Sequence, residues 1–136
     1  MKKILFSVLL AVSLSACTSL TRTEENQLRE LKSYGISVDK PTGYWEKPAS
    51  PVAAGLLNLL PGFGNFYLGA GNGADGMHVL YGFLNLLFWP SSVLWGVPEA
   101  AIDAGRINQR ELIYYYTYEP DGQRELEEAR KNFGKK

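Results

Sequence analysis

Hydrophobic and polar positions along this chain fall into blocks rather than one repeating pattern. From Pro48 to Pro98, a stretch of 51 residues, the only charged side chain is Asp75, whereas the segments on both sides are dense in Glu, Asp, Lys and Arg. In the N-terminal polar block, Leu28 and Leu31 share a helical face with the approach of Tyr34, and Glu24 and Glu25 suit the positive end of a helix dipole. Thr21 with Glu24, or Thr23 with Asn26, supplies an N-cap, and Gly35 is placed to end the helix. The pattern predicts a short amphipathic helix of about 12 residues, too short to be stable alone, that must dock on the C-terminal part, a partner or the lipid surface. Ile36 and Val38 then lead into the turn-rich Asp39-Lys40-Pro41-Thr42-Gly43.

The apolar block divides in two. Pro51 to Ala70 is interrupted by Pro61-Gly62 and diluted by glycines and asparagines, so it predicts a kinked, re-entrant or interfacial element. Met77 to Val97 carries no charge over 21 residues and is apolar all round from Val79 through Trp89. As one helix it would be about 31 Å long, enough for a hydrocarbon core of about 30 Å. Tyr44 and Trp45 before the first segment, and Trp89 and Trp95 late in the second, would lie on one membrane face in an antiparallel hairpin. A local repeat links the halves: Gly55-Leu56-Leu57-Asn58-Leu59-Leu60 recurs as Gly82-Phe83-Leu84-Asn85-Leu86-Leu87. Asn58 and Asn85 are therefore candidates for polar contact between helices, with each other or with another copy.

Beyond Val97 the chain is polar again. Pro98 suits a first helical position and Glu99 the helix start, so a helix is expected to restart there. Ile107, Leu112 and Ile113 continue an apolar face, and Tyr114 to Tyr118 suit a strand or an interfacial helix end. Pro120-Asp121-Gly122 reads as a turn before a charged helix from Gln123 to Asn132, with Leu126, Ala129 and Phe133 available to dock.

The N-terminus has the three-part plan of a secretory signal: basic Lys2 and Lys3, an apolar run from Ile4 to Val12, then Leu14-Ser15-Ala16-Cys17. The last four residues resemble the lipobox of bacterial lipoproteins. The resemblance implies that the Cys17 thiol receives a diacylglyceryl group and that cleavage falls between Ala16 and Cys17. An ordinary signal would prefer a small residue where Leu14 stands. Several acyl chains, at about 0.8 kcal/mol per buried methylene, anchor essentially irreversibly. In enteric lipoproteins an Asp after the Cys retains the protein in the inner membrane. Thr18 stands here, which implies the outer membrane facing the periplasm, with the inner membrane as the alternative.

A second resemblance rests on Pro61-Gly62-Phe63-Gly64-Asn65-Phe66-Tyr67-Leu68-Gly69, followed by Gly73, Gly76 and a long apolar segment. This is similar to the two-transmembrane-helix domain family over roughly residues 51–104, and implies a helical hairpin without catalytic residues. Its motif positions here are Gly62, Gly64, Phe66, Tyr67, Gly69, Gly73 and Gly76. Family members usually carry an Asp-Arg or His-Arg pair before the Phe-Tyr. Gly64-Asn65 stands there instead.

Charge and composition close off most other classes. The chain of 136 residues carries 14 basic and 14 acidic side chains with one Cys and one His, which excludes an internal disulfide and a multi-thiolate metal site. Loss of Lys2 and Lys3 with the signal takes two of the 14 basic groups and leaves 12 against 14 acidic, a net of about −2. No basic face is left to neutralise phosphates, so nucleic acid is not an expected partner. Gly71 to Gly76 satisfies G-x-G-x-x-G, but it follows a broken apolar helix rather than a buried strand and reads as a tight turn. Glu99 and Asp103, one helical turn apart, would be the acid and base of a peripheral enzyme; charges at the membrane boundary are the preferred reading. His78 reads as an interfacial or capping residue.

These readings predict a mainly α protein in four parts. They are a signal peptide at 1–16, a lipidated Cys17 with an amphipathic helix and linker at 17–50, an apolar membrane-type hairpin with a Gly-rich turn at 51–97, and polar helices at 98–136. The expected role is structural or accessory in the cell envelope, non-catalytic, without cofactor or metal. The alternative is a lipid- or small-molecule-binding module built from the hairpin. Expected partners are membrane lipid, through acylated Cys17 and the hairpin, and a second copy or another envelope protein.

Overall fold

The computed structural model describes residues 19–71 and 76–133; the lipobox residues Ala16 and Cys17, and Gly73, lie outside them. The described chain is mainly α-helical, with α1 (Arg22–Ser33), α2 (Pro51–Leu57), α3 (Phe63–Ala70), α4 (Met77–Leu87), α5 (Val93–Tyr118) and α6 (Pro120–Phe133). Of the two caps available to α1, the structure uses Thr21. Its hydroxyl accepts from the Glu24 amide at 3.3 Å, while the Glu24 carboxylate accepts from the Thr21 amide at 2.6 Å. Leu28 and Leu31 turn inward, and Gly35, at φ +81°, reverses the chain after the helix.

The 26-residue α5, about 39 Å long, is the axis of the molecule. On its C-terminal half, Leu112, Ile113, Tyr115 and Tyr116 form a core with Leu28 and Leu31 of α1, Ile36 and Trp45, and Leu126 and Ala129 of α6 pack against it. The Tyr116 hydroxyl donates to the Thr42 carbonyl at 2.6 Å and accepts from the Thr42 amide at 3.0 Å, pinning the linker across this core. Arg130 of α6 reaches back to Glu30 at 2.6 Å and lies over the Tyr34 ring.

On the N-terminal half of α5, the apolar segments are folded more finely than a two-helix hairpin. Pro61-Gly62 divides the first into α2 and α3, of 7 and 8 residues. The second is broken too: α4 stops at Leu87, and the chain turns through residues 88–92 around Pro90 before α5 begins at Val93. A proline lacks the amide that helix propagation needs and disfavours helical geometry in the residue before it. The uninterrupted 31 Å segment from Met77 to Val97 is therefore not formed, and no described helix is long and apolar enough to cross a membrane.

Pro98 does not restart a helix. It lies inside α5, so the boundary expected after Val97 falls within a continuous helix. The lost hydrogen bond falls on the carbonyl of Leu94, in the first turn, where α5 is 82% exposed at that residue. Likewise Pro120-Asp121-Gly122 is the first turn of α6 rather than a turn before it, and Tyr114 to Tyr118 form the last turn and a half of α5.

Around α5 the short helices alternate in direction. Ala49 lies beside Asn108, Gly55 beside Ala101 and Val97, and Asn58 beside Gly96, so α2 runs antiparallel to α5. α3 returns, with Leu68 packed among Ala49, Ala54, Ala100, Ala104 and Ile107. α4 descends again, passing His78 by Gly69 and Gly82 by Gly62. The turns at residues 58–62 and 88–92 thus share one end of the molecule, here called the tip. The aromatic residues expected on one face are separated: Trp45 belongs to the core around Tyr116, while Trp89 and Trp95 lie at the tip, some twenty residues or about 30 Å earlier along α5.

Candidate functional site

Among residues 51–97 the usual order of burial is inverted. Asn58, Asn65, His78, Asn85 and Ser92 are each at most 4% exposed, while Leu56, Leu60, Phe83, Leu87, Trp89 and Leu94 are each at least 59% exposed. A large apolar side chain left in water instead of covered forgoes about 1.5–3 kcal/mol, and a buried amide without a partner is costly in any apolar surrounding. Both observations concern the same four-helix unit.

Beside the apolar cluster around Leu68, the interior is built from amides and close backbone approaches. Asn58 caps α2 and bridges two neighbours: its Oδ1 accepts from the Gly64 amide at 3.0 Å and its Nδ2 donates to the Gly96 carbonyl at 2.5 Å. Asn85 accepts from the Trp95 indole at 3.0 Å, and its carbonyl accepts from Ser92 at 2.6 Å, which closes the turn around Pro90. The two asparagines of the sequence repeat do not bond to each other. They converge on Gly96, where an added methyl would lie 2.7 Å from Asn58 Nδ2 and 3.1 Å from Asn85 Nδ2. At the other end of the unit, Asn108 holds Ala49 by both backbone groups, at 3.0 and 2.7 Å.

The motif glycines take different places. Gly62, at φ +85°, lets the chain leave α2, and any side chain there would run into the backbone of Gly82. Gly64 leaves no room between itself and the Ala54 carbonyl, and a methyl on Gly69 would meet Val79 at 2.7 Å. Gly76, by contrast, faces open space. Phe66 sits between Phe63 and Phe83 at ring distances of 6.2 and 5.2 Å, and the Tyr67 hydroxyl accepts from the Ser50 amide at 3.0 Å.

Ser92, Asn108 and Gly96 belong to this interior and lie outside the motif and the repeat, whereas Asn65 stands in the motif and Gly82 opens the second copy of the repeat. The signal that finds Asn65 and Ser92 is their rarity: in a charge-free stretch, every side chain with a strong dipole must turn inward or reach water. Both amide atoms of Asn65 and Nδ1 of His78 have no hydrogen-bond partner among the described residues. His78, expected as an interfacial or capping residue, is 3% exposed, in the first turn of α4 and under the end of α3.

Glu99 and Asp103 sit one turn apart on α5. Asp103 is fully buried with Arg106 at 4.0 Å, and Glu99 is pushed up to about 7, first by burial and then by the Asp103 carboxylate. Elsewhere, a cleft of about 350 Å³ opens between α1, α5 and α6, with Leu31 and Tyr116 among its walls and the Arg130–Glu30 pair at its side. It lies at the opposite end of α5 from the tip. Among the described residues no three His, Cys, Asp or Glu side chains cluster as metal ligands. No family model matches the chain, and neither the curated proteins nor the solved structures provide a match.

Proposed function

We propose that this chain is a lipid-anchored bacterial envelope protein, held by acylated Cys17 in the outer membrane facing the periplasm, with a structural or accessory, non-catalytic role. In this reading the unit from Pro51 to Trp95 is embedded in the membrane, and α1, α6 and the second half of α5 form its water-facing part. The observation that carries the proposal is the inverted burial of that unit, with amides inside and Leu, Phe and Trp outside. In hydrocarbon an outward Leu is at no disadvantage, and polar groups turn inward, where Asn58, Asn85 and Ser92 bond to neighbouring segments. The proposal takes from the hairpin family only membrane residence, since the segments here are shorter than a spanning pair.

Alkaline carbonate extraction tests it, using a Cys17→Ala variant exported with a cleavable non-lipid signal. The variant is expected to stay in the membrane pellet. Release as a folded soluble species would mean that protein or a bound ligand covers the apolar exterior, as in the binding-module alternative, and the membrane reading would be lost.

A further inference from the structure

The geometry points to insertion of this unit into a single leaflet, tip first, and into the same leaflet that receives the acyl chains of Cys17. This deepens the membrane reading above and rests on it. The first argument is length. α4, the longest of the three short helices, has 11 residues and rises about 16 Å, close to half of a hydrocarbon core of about 30 Å. The helices beside it are shorter still, and each reverses at the tip rather than continuing.

The second argument is what the tip presents. Leu60, Leu87, Trp89 and Leu94 lie there, 59%, 74%, 62% and 82% exposed. A spanning arrangement would push this end into water on the far side without one charged residue to meet it. Charge begins at Glu99 of α5 and continues through Asp103, Arg106 and Arg110, all on the side away from the tip. Polarity thus rises in one direction only, from the tip toward Asn108 and the charged part of α5.

The third argument is the anchor. The Ser19 carbonyl accepts from Arg110 Nη2 at 3.1 Å, which fixes the start of the described chain beside α5. Cys17 is two residues earlier, within about 7 Å of extended chain. Arg110 stands about 12 Å along α5 beyond Ile102, an exposed apolar residue on the tip side. In this proposal the acyl chains enter near the Ser19–Arg110 contact, on the side from which the unit enters. Anchor and wedge occupy one leaflet, and both soluble helices remain on one side.

The test uses the full lipoprotein in sealed membrane vesicles of each orientation. Cys17 is blocked by its lipid, so the parent should not react with a membrane-impermeant maleimide. Leu60→Cys and Gln123→Cys each add one thiol at an exposed position. Gln123→Cys is expected to label from one side only, and Leu60→Cys from neither side until detergent is added. In reconstituted vesicles, phosphatidylcholine brominated near the acyl-chain end should quench tryptophan emission more than phosphatidylcholine brominated near the headgroup. Trp89→Phe should remove much of that quenching. Labelling of Leu60→Cys from the side opposite Gln123→Cys, or stronger quenching by the shallow bromines, would overturn single-leaflet insertion and leave the membrane reading standing. Labelling of both from the same side, or no quenching by either lipid, would overturn both.

Discussion

Two halves of one helix obey opposite rules of burial. Around Leu112 and Tyr116 the inside of α5 is apolar and aromatic, and the outside of the surrounding α1 and α6 is charged. Around Gly96 the inside is Asn58, Asn85 and Ser92, and the outside is Leu, Phe and Trp. In the first half, covering Leu28, Leu31 and Ile36 removes apolar surface from water, so hydrophobic burial itself supplies cohesion. In the membrane reading proposed above, the second half faces an apolar surrounding, so burial from water supplies little there beyond the cluster around Leu68. Cohesion there comes from close backbone contact at glycines and from side-chain amides that bridge helices.

The comparison is broken most severely where close contact and backbone geometry coincide. Gly62→Ala places a methyl against the Gly82 backbone and forces a non-glycine residue to φ +85°. Left-handed strain and overpacking together amount to roughly 3 kcal/mol or more. Far-UV circular dichroism in detergent should show a large drop in the thermal midpoint, or failure to fold. A midpoint equal to the parent's would mean that α3 and α4 do not approach as described.

A second substitution separates cohesion from solvent preference. Asn58→Leu makes the unit more apolar, yet it strands the buried Gly64 amide and removes the amide bridge to the Gly96 carbonyl of α5. The expected loss is roughly 2–4 kcal/mol of stability. Leu87→Lys, at the 74% exposed rim of the tip, should leave the detergent-solubilised fold intact and weaken membrane partition of the unlipidated chain, by on the order of 2 kcal/mol. Chemical denaturation and vesicle flotation measure the two quantities. If both variants moved the same quantity, inside and outside would not be distinguished as the structure has them.

Local signals in the sequence were sufficient for α1, because its cap, its inward leucines and its terminal glycine all act within a few residues. The extent of the apolar block was equally visible, since charge is absent from it. The break at Pro61-Gly62 was visible too; the one at Pro90 was not. Pro90 breaks a helix and Pro98 does not, although both are prolines in apolar surroundings; the bond Pro98 forgoes falls on the exposed Leu94 carbonyl in the first turn of α5, and where that helix starts is not marked in the local sequence. The repeat located Asn58 and Asn85 but not their meeting point, because Gly96 has no side chain to announce it. Trp45 and Trp89 were assigned one level because a two-helix hairpin has only two ends, whereas four alternating helices place them far apart.

The boundary between the two halves carries a pH signature. Glu99 is expected to titrate near 7 in the folded protein against 4.5 for an ordinary glutamate. Between about pH 4.5 and 7 the unfolded chain releases a proton that the folded chain keeps, so stability is greatest below this window and falls as pH rises through it. Glu99→Gln removes the group and should match the parent at pH 4 while exceeding it at pH 8, by roughly 1 to 3 kcal/mol. Denaturation midpoints at the two pH values check this. A constant difference across the window would show that neither burial nor the Asp103 carboxylate raises Glu99.

The finest contrast is the same substitution made twice on one helix. Gly96 and Gly105 both lie inside α5, so an alanine at either reduces the freedom of the unfolded chain to a similar degree. At Gly105 the new methyl meets nothing within 4 Å, and stability should rise by about 0.5–1 kcal/mol. At Gly96 it meets Asn58 Nδ2 at 2.7 Å and Asn85 Nδ2 at 3.1 Å, and the displaced amides should lower stability by roughly 1–3 kcal/mol. Thermal midpoints of the two variants should therefore move in opposite directions. A shift of the same sign at both would remove the distinction between a glycine that belongs to the amide interior and one that does not, and with it the claim that this half of the molecule is held together by contact rather than by burial from water.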